Sequence, residues 1–157
     1  MGSLYYIKGD ATYPIGDGFK YILHICNDVG GWGSGFVVAI SNRWKSPENM
    51  YRMWFNQYKN VFKLGAVQYV WPTEDICVVN MIAQNGKKNI NNPVPVRYNE
   101  LEQCLIKVSN KLNPETDTIH MPRIGTNRGG GDWNIIEKMI KNTLCHKGFT
   151  VNVYDPE

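Results

Sequence analysis

Two glycine-rich segments constrain the fold of this chain more than any other feature of its sequence. Eight of the fifteen glycines fall within thirteen of the 157 residues, in segments 30–35 and 125–131. Glycine is costly inside helices and strands, and is favoured where the backbone bends unusually or lies close to another group. Each segment follows an apolar run typical of a buried strand and precedes a helical pattern. Both segments therefore predict loops that hold a ligand through backbone atoms.

The remaining periodicity predicts six strands and four helices in the order ββααββαβαβ. The predicted strands are Leu4–Lys8, Tyr21–Cys26, Ala66–Trp71, Ile76–Ile82, Thr118–Met121 and Thr150–Tyr154. The predicted helices are Gly35–Arg43, a helix that starts at Pro47 with Ser46 as N-cap, Tyr98–Leu112, and Trp133–Cys145 with Asp132 as N-cap. This order predicts one α/β domain over residues 1–157, with three layers, α/β/α, around a central mixed sheet.

Composition excludes several classes of protein. No apolar run approaches the roughly 20 residues of a membrane helix, and the first residues resemble no signal peptide. We therefore expect a cytoplasmic protein without a membrane partner. The four scattered cysteines predict buried thiols rather than a metal site, and no cofactor is expected. With a net charge of +3 and no clustered basic stripe, nucleic-acid binding is not expected. The cysteines are Cys26, Cys77, Cys104 and Cys145.

The familiar phosphate-binding motifs do not explain the glycine segments. Reading from Gly31, the dinucleotide motif GxGxxG requires a sixth-position glycine where Phe36 stands. The P-loop motif also fails, because no Gly-Lys-Ser or Gly-Lys-Thr occurs. Loops between the carboxyl end of a strand and the start of a helix nevertheless favour an anion. Two such loops at one sheet edge would suit a pyrophosphate group.

Five short segments, in order along nearly the whole chain, resemble the macro domain family. They are Gly9–Thr12, His24–Asn27, Gly30–Gly35, Asn80–Gln84 and Met121–Gly125. We call residues 30–35 loop 1 and residues 122–131 loop 2. Within the family, both loops resemble the branch that holds ADP-ribose 1″-phosphate phosphatases and terminal ADP-ribose glycohydrolases. The resemblance implies a three-layer fold that binds ADP-ribose and needs no metal.

The resemblance also implies binding roles for individual residues. Asp10 would accept a hydrogen bond from the adenine amino group, unless it only caps a turn. Asn27 would contact the distal ribose, unless it is a left-handed turn residue. Trp32 would cover the distal ribose because glycines leave it little core to join, and Tyr154 would lie near adenine or in the core. Further expected ligand contacts are Ala11, Gly30, Gly31, Gly33, Ser34, Gly35, Pro122, Arg123, Ile124, Gly125, Thr126, Asn127 and Arg128.

The sequence departs from the family where catalysis is concerned. The glycohydrolases of this branch use a covalent lysine, and Gln84 stands in its place; Lys87 and Lys88 follow, but would need a shifted loop. The assisting aspartate is replaced by Gly129, and the only carboxylate beside loop 2 is Asp132. These departures favour a phosphatase over a covalent-lysine glycohydrolase.

The expected reaction is therefore hydrolysis of ADP-ribose 1″-phosphate to ADP-ribose and phosphate. Asn27 would orient the distal ribose and the attacking water, and His24 or Asp132 would act as general acid or base. A buried core histidine and a helix N-cap are the structural alternatives for these last two. Loop amides and Arg128 would stabilise the developing charge.

Two other functions stay open at this point. One is removal of ADP-ribose from modified proteins or nucleic acids, which would make ADP-ribosylated macromolecules the partners. The other is a non-catalytic module that only binds ADP-ribose. A phosphate-release assay beside an ADP-ribose titration separates these functions.

Overall fold

The computed structural model describes residues 1–157 and contains the predicted ten elements in the predicted order. The elements are β1 (Leu4–Lys8), β2 (Phe19–Asn27), α1 (Phe36–Arg43), α2 (Ser46–Gln57), β3 (Val67–Val70), β4 (Ile76–Gln84), α3 (Tyr98–Lys111), β5 (Asp117–Met121), α4 (Trp133–Thr143) and β6 (Val151–Asp155). Short 3₁₀ turns lie at Asn127–Gly129 and Cys145–Lys147.

One six-stranded sheet forms the middle layer, with strand order β1-β6-β5-β2-β4-β3. All neighbouring strands run parallel except β3, which is antiparallel to β4. Residues of α1 and α2 pack with one face of the sheet and residues of α3 and α4 with the other. The predicted three-layer α/β/α fold with a mixed sheet is confirmed.

Strand β4 shows how the sequence divides the two cores. Eight of its nine residues are buried, as expected of a strand covered on both faces. Ile76, Val78 and Ile82 join the core beneath α1 and α2. Cys77 and Val79 join the larger core beneath α3 and α4. Because successive side chains of a strand point to opposite faces of the sheet, β4 contributes to both hydrophobic cores.

Four predicted helix ends are wrong by a residue or two. Helix α1 begins at Phe36 rather than Gly35, and helix α3 ends at Lys111 rather than Leu112. Helix α2 begins at Ser46 itself, with Lys45 as N-cap and no side-chain cap bond, so Ser46 is not the N-cap. Helix α4 ends at Thr143, because the chain tightens into the 3₁₀ turn Cys145–Lys147 before Gly148.

All four cysteines are buried and unpaired, which confirms their prediction as core thiols. Each helix is too short or too polar to cross a membrane.

Candidate functional site

A cavity of about 770 Å³ lies at the carboxyl edge of the parallel strands. It is lined by residues that end or follow β1, β2, β4, β5 and β6, together with the start of α1. Its volume lies within the range of small-molecule sites, and its position is the one expected for a ligand in an open α/β sheet. The two glycine loops therefore share one cavity.

Most of the residues predicted to bind a ligand line this cavity. They are Asp10, Ala11, His24, Asn27, Gly31, Trp32, Gly33, Ser34, Gly35, Pro122, Arg123, Ile124, Gly125, Thr126, Asn127, Arg128 and Tyr154. Gly30 and Asp132 are not among the lining residues.

Gly30 faces helix α2 rather than the cavity. Its φ is +78°, and a Cβ at this position would lie 2.5 Å from Phe55 Cδ2. Its carbonyl accepts a hydrogen bond from Arg52 Nη1 at 3.0 Å. At Gly30 the backbone of loop 1 therefore packs closely on α2, outside the cavity lining, and a contact of Gly30 with the ligand stays a prediction.

Asp132 is the N-cap of α4, as the sequence also predicts. Its Oδ1 accepts from the backbone N–H of Asn134 at 2.9 Å, and its own N–H donates to the Tyr98 hydroxyl at 2.9 Å. The residue is exposed and lies outside the cavity lining. The structure therefore places Asp132 as a helix cap outside the cavity lining, and its role as general acid or base stays a prediction.

Asp132→Ala is expected to lower the free energy of unfolding by about 1 kcal/mol, the usual cost of losing an N-cap. Turnover per folded molecule should be unchanged. Urea denaturation and a phosphate-release assay measure the two effects. Asp132→Asn, which keeps a capping oxygen, is the matched control. If both variants fold but lose activity, the carboxylate belongs to the chemistry after all.

Asn27 organises loop 1 from the end of β2. Its Oδ1 accepts from the N–H groups of Val29 and Gly31, both at 3.0 Å, and from the Tyr51 hydroxyl at 3.0 Å. Its Nδ2 donates to the Gly31 carbonyl at 3.2 Å. Asn27 is a strand residue, so a left-handed turn role is wrong; the positive-φ residue is Asn127, at 51°. The Asn27 side chain therefore sets the shape of the loop beside the cavity.

Trp32 packs in the hydrophobic core, although its glycine neighbours suggest that it has few buried side chains to pack against. Its side chain is 4% exposed and belongs to the core beneath α1 and α2. The indole N–H donates to Ser41 Oγ at 2.7 Å, and its ring centre lies 5.2 Å from that of Tyr51. Trp32 is thus a core residue that also lines the cavity.

His24 is a buried, neutral histidine in the cavity wall. Its Nε2 lies 2.5 Å from Asn80 Oδ1. The Asn80 amide nitrogen donates to Gln68 Oε1 at 2.9 Å, which leaves Oδ1 as the acceptor and places the His24 proton on Nε2. Burial lowers the pKa of His24 to about 4. Its Nδ1 is buried without a partner, so His24 offers a hydrogen-bond acceptor rather than an acid.

Asp10 and Tyr154 lie at the β1 and β6 end of the cavity. Asp10 Oδ1 accepts from the backbone N–H and the hydroxyl of Thr12, at 2.9 and 2.8 Å, so this oxygen caps a turn. The Tyr154 hydroxyl accepts from the Ile15 N–H at 3.0 Å and pairs with His120 Nδ1 at 2.8 Å. Tyr154 is buried, and it anchors the segment that follows Asp10.

Two lysines bring positive charge to the opposite end of the cavity. Lys87 Nζ lies 3.0 Å from the position that a Cβ on Gly31 would take. Lys88 Nζ donates to the Asn127 carbonyl at 3.3 Å, so the lysines reach towards loop 1 and loop 2 respectively. Both lysines line the cavity, which the shifted-loop alternative required.

The loop that follows β4 and carries Lys87 and Lys88 is held by polar contacts that the local sequence pattern does not show. Asp28 Oδ1 accepts from the Gly86 N–H at 2.8 Å, and Gln84 Nε2 donates to the Gly86 carbonyl at 3.1 Å. A β-bulge between Cys26 and Asn27 brings Asn27 opposite Gln84. The sequence already points to Lys87 and Lys88, because they follow closely on the end of β4.

The two positions where the family's lysine and aspartate are expected are adjacent in space. A Cβ on Gly129 would lie 3.7 Å from Gln84 Oε1. The two departures from the family pattern, Gln84 in place of the lysine and Gly129 in place of the aspartate, therefore lie side by side in the cavity wall.

The structure holds no group of three or more His, Cys, Asp or Glu side chains that could bind a metal ion. The polar groups that line the cavity are backbone, amide, hydroxyl and cationic ones, together with the imidazole of His24 and three acidic residues, Asp10, Asp155 and Glu157.

Comparison with known proteins supports the fold and identifies the family. No protein-family profile matches the chain. A protein of unknown function from Bacteroides thetaiotaomicron is 47% identical, with 98% of each chain covered and a TM-score of 0.92. A macrodomain protein from Streptomyces coelicolor is 43% identical, with 98% of this chain and 99% of that chain covered and a TM-score of 0.86.

A curated relative is much longer than this chain. The chromodomain-helicase-DNA-binding protein 1-like of Danio rerio is 27% identical over 95% of this chain, but the match spans only 15% of that protein. The likeness therefore concerns one segment of a larger protein. With the Streptomyces coelicolor protein alike over almost its full length, this chain belongs to the macrodomain family.

Proposed function

We propose that the protein binds ADP-ribose and hydrolyses ADP-ribose 1″-phosphate to ADP-ribose and phosphate. The observation that carries the proposal is one cavity lined by both glycine loops, with Lys87 and Lys88 at one end and Asp10 at the other. Strands β1 and β4, which these residues follow, are four strand spacings apart, or about 19 Å. Such an elongated cavity suits an extended nucleotide.

The start of α1 supports binding of the diphosphate. Loop 1 leads directly into α1, and its N-cap, Gly35, makes no side-chain cap bond. The first N–H groups of the helix are therefore free for an anion, and the helix dipole adds to the attraction. Across the cavity, Arg128 Cγ lies 3.2 Å from where a Cβ on Gly35 would be. The two loops thus meet around the place proposed for the diphosphate.

The lysine end supports binding of the 1″-phosphate. Hydrolysis adds water across the bond between ribose and phosphate, leaving a hydroxyl on C1″ and inorganic phosphate. Lys87 and Lys88 can stabilise negative charge that grows on the phosphate oxygens during this step. Asp132 has no part in this mechanism.

The direct test is a phosphate-release assay on ADP-ribose 1″-phosphate beside a calorimetric titration with ADP-ribose. The expected result is saturable binding together with phosphate release. Binding without any release from this or another substrate would identify a binding module instead. Absence of binding would refute the proposal as a whole.

The position of Lys87 favours a second candidate, removal of ADP-ribose from a modified protein or nucleic acid. Its ammonium lies beside Asn27 and Gly31, where the distal ribose is proposed to bind. After losing a proton, the amine there could attack C1″ and expel the macromolecule, which takes up a proton. The resulting glycosylamine opens its ribose ring to an imine, and water hydrolyses the imine to release ADP-ribose and the free lysine. Borohydride reduction during turnover, followed by mass spectrometry, would detect ADP-ribose linked to Lys87. An unlabelled lysine with continued phosphate release supports the phosphatase.

Replacing both lysines, in Lys87→Met/Lys88→Met, is expected to lower kcat/KM for phosphate release at least about 100-fold. The reason is that hydrogen bonds from a charged donor contribute about 1.5–3 kcal/mol each. The dissociation constant for ADP-ribose, which lacks the 1″-phosphate, should change less than about threefold. Steady-state kinetics and calorimetry measure the two quantities. Lys138→Met, on the exposed face of α4, is the matched control, and equal losses for both ligands would contradict the assigned role.

A further inference from the structure

We infer that Asn92 is a positioning residue for Lys87, on which it acts by holding the backbone of the loop that carries the lysine. Asn89 contributes a second bond to the same backbone group. The inference rests on the proposed function, and it names a residue outside the cavity on which the charge at the lysine end depends.

The Asn92 side chain bridges two backbone carbonyls of this loop. Its Nδ2 donates to the Asn85 carbonyl at 2.8 Å and to the Lys87 carbonyl at 3.1 Å. Asn89 Nδ2 also donates to the Lys87 carbonyl, at 3.1 Å. This carbonyl thus accepts from two side-chain amides, which uses both of its lone pairs. The peptide group between Lys87 and Lys88 is therefore fixed in position.

The backbone of the loop closes around these amides. Asn89 and Asn92 form an isolated antiparallel bridge, in which the N–H of each donates to the carbonyl of the other, at 3.1 and 3.0 Å. A Cβ on Gly86, whose N–H is bound by Asp28, would lie 3.4 Å from Asn92 Nδ2. Asn92 is half-buried, although residues 87–91 are all exposed. Its amide therefore lies inside the loop and supports it from within.

The other end of Lys87 is seated on loop 1. A Cβ on Gly31 would lie 2.6 Å from Lys87 Cε and 3.0 Å from its Nζ, so the absence of a side chain at Gly31 makes room for the ammonium. Lys87 Nζ forms no hydrogen bond or ion pair within the protein, whereas Lys88 Nζ donates to the Asn127 carbonyl. Lys87 thus combines a fixed backbone with a charge that no protein group neutralises.

An unpaired charge that is already in place favours the reaction more than one that must first be ordered. The protein then spends little side-chain entropy when an anionic group binds, and the charge needs no reorganisation as the phosphate reacts. Loss of the Asn92 amide would let the backbone at Lys87 move and spread the ammonium over more positions. The effect of Asn92 should therefore pass through Lys87.

The test is a double-mutant cycle of Asn92→Ala and Lys87→Met, followed by phosphate release from ADP-ribose 1″-phosphate. Asn92→Ala alone is expected to lower kcat/KM about fivefold, since it removes two hydrogen bonds from the loop. In the Lys87→Met protein the same change should lower kcat/KM less than about 1.5-fold, because the charge that Asn92 positions is gone. The dissociation constant for ADP-ribose should stay within about twofold in all variants.

Asn91→Ala is the matched control, because Asn91 is an exposed neighbour whose side chain makes no hydrogen bond within the protein. Its kcat/KM should equal that of the wild-type protein. Equal losses from Asn92→Ala with and without Lys87 would overturn the inference, as would a wild-type kcat/KM for Asn92→Ala or an equal loss of ADP-ribose affinity. A wild-type protein that binds ADP-ribose but releases no phosphate would instead refute the proposed function, and this inference with it.

Discussion

Gly130→Ala is expected to lower the free energy of unfolding by about 3–5 kcal/mol and to abolish ligand binding. Gly130 has a φ of +67°, and a Cβ there would lie 2.2 Å from the Pro93 carbonyl oxygen and 3.1 Å from Val94 Cα. Left-handed backbone in a non-glycine residue and an overpacked contact each cost about 1–3 kcal/mol. Backbone atoms cannot swing aside as a side chain can, so loop 2 must move. Urea denaturation and ADP-ribose calorimetry measure the two losses.

Gly33→Ala is the matched control in the other loop. A Cβ at Gly33 would have no atom within 4 Å, and its φ is not positive. Its stability should stay within about 0.5 kcal/mol of the wild-type value. A stable, ligand-binding Gly130→Ala protein would show that loop 2 does not pack on residues 93–94 as described.

Asn27→Ala is expected to weaken ADP-ribose binding at least about 100-fold and to cost about 2–3 kcal/mol of stability. The alanine removes one acceptor that serves two backbone N–H groups and a hydroxyl, and a donor to the Gly31 carbonyl. Each lost bond costs about 0.5–1.5 kcal/mol, and loop 1 loses the group that defines its shape. Calorimetry and urea denaturation test both parts.

Tyr51→Phe keeps the Asn27 side chain but removes a hydrogen bond that holds Asn27 in place. The phenylalanine removes only the hydroxyl, whose single proton is shared between the Asn27 carbonyl at 2.7 Å and Asn27 Oδ1 at 3.0 Å. We expect a loss of about 1 kcal/mol in stability and a smaller loss in binding than for Asn27→Ala. An Asn27→Ala protein with wild-type affinity would contradict the role assigned to this side chain.

The order of elements could be predicted because its signals are local. The unbroken apolar run of β4 and the stripe of α3 each lie within one element. The glycine loops are likewise visible in the sequence. Because the carboxyl ends of parallel strands lie at one edge of a sheet, the edge at which the two loops meet could also be predicted. Exact helix ends are less predictable, since the last turn of α4 depends on how Gly148 and the 3₁₀ turn before it pack.

The parts of the site that the sequence could not predict depend on distant contacts. Trp32 is buried because Ser41 and Tyr51 lie over it from α1 and α2. Lys87 lies beside loop 1 in a loop where Asp28 and Gln84 both hydrogen-bond to Gly86. Asp132 shows the reverse case, in which a local signal correctly predicts the N-cap of α4.

The pairing of the first strand with the last has a consequence for how the protein is made. Strand β1 pairs only with β6, from Leu4 opposite Val151 to Lys8 opposite Asp155. This contact spans almost the whole chain, and such non-local pairings slow folding because a large loop must close first. On the ribosome, β1 must wait without a partner until residue 155 has emerged. The half of the cavity that holds Asp10 and Tyr154 should therefore be the last part of the molecule to assemble, after the lysine end has formed.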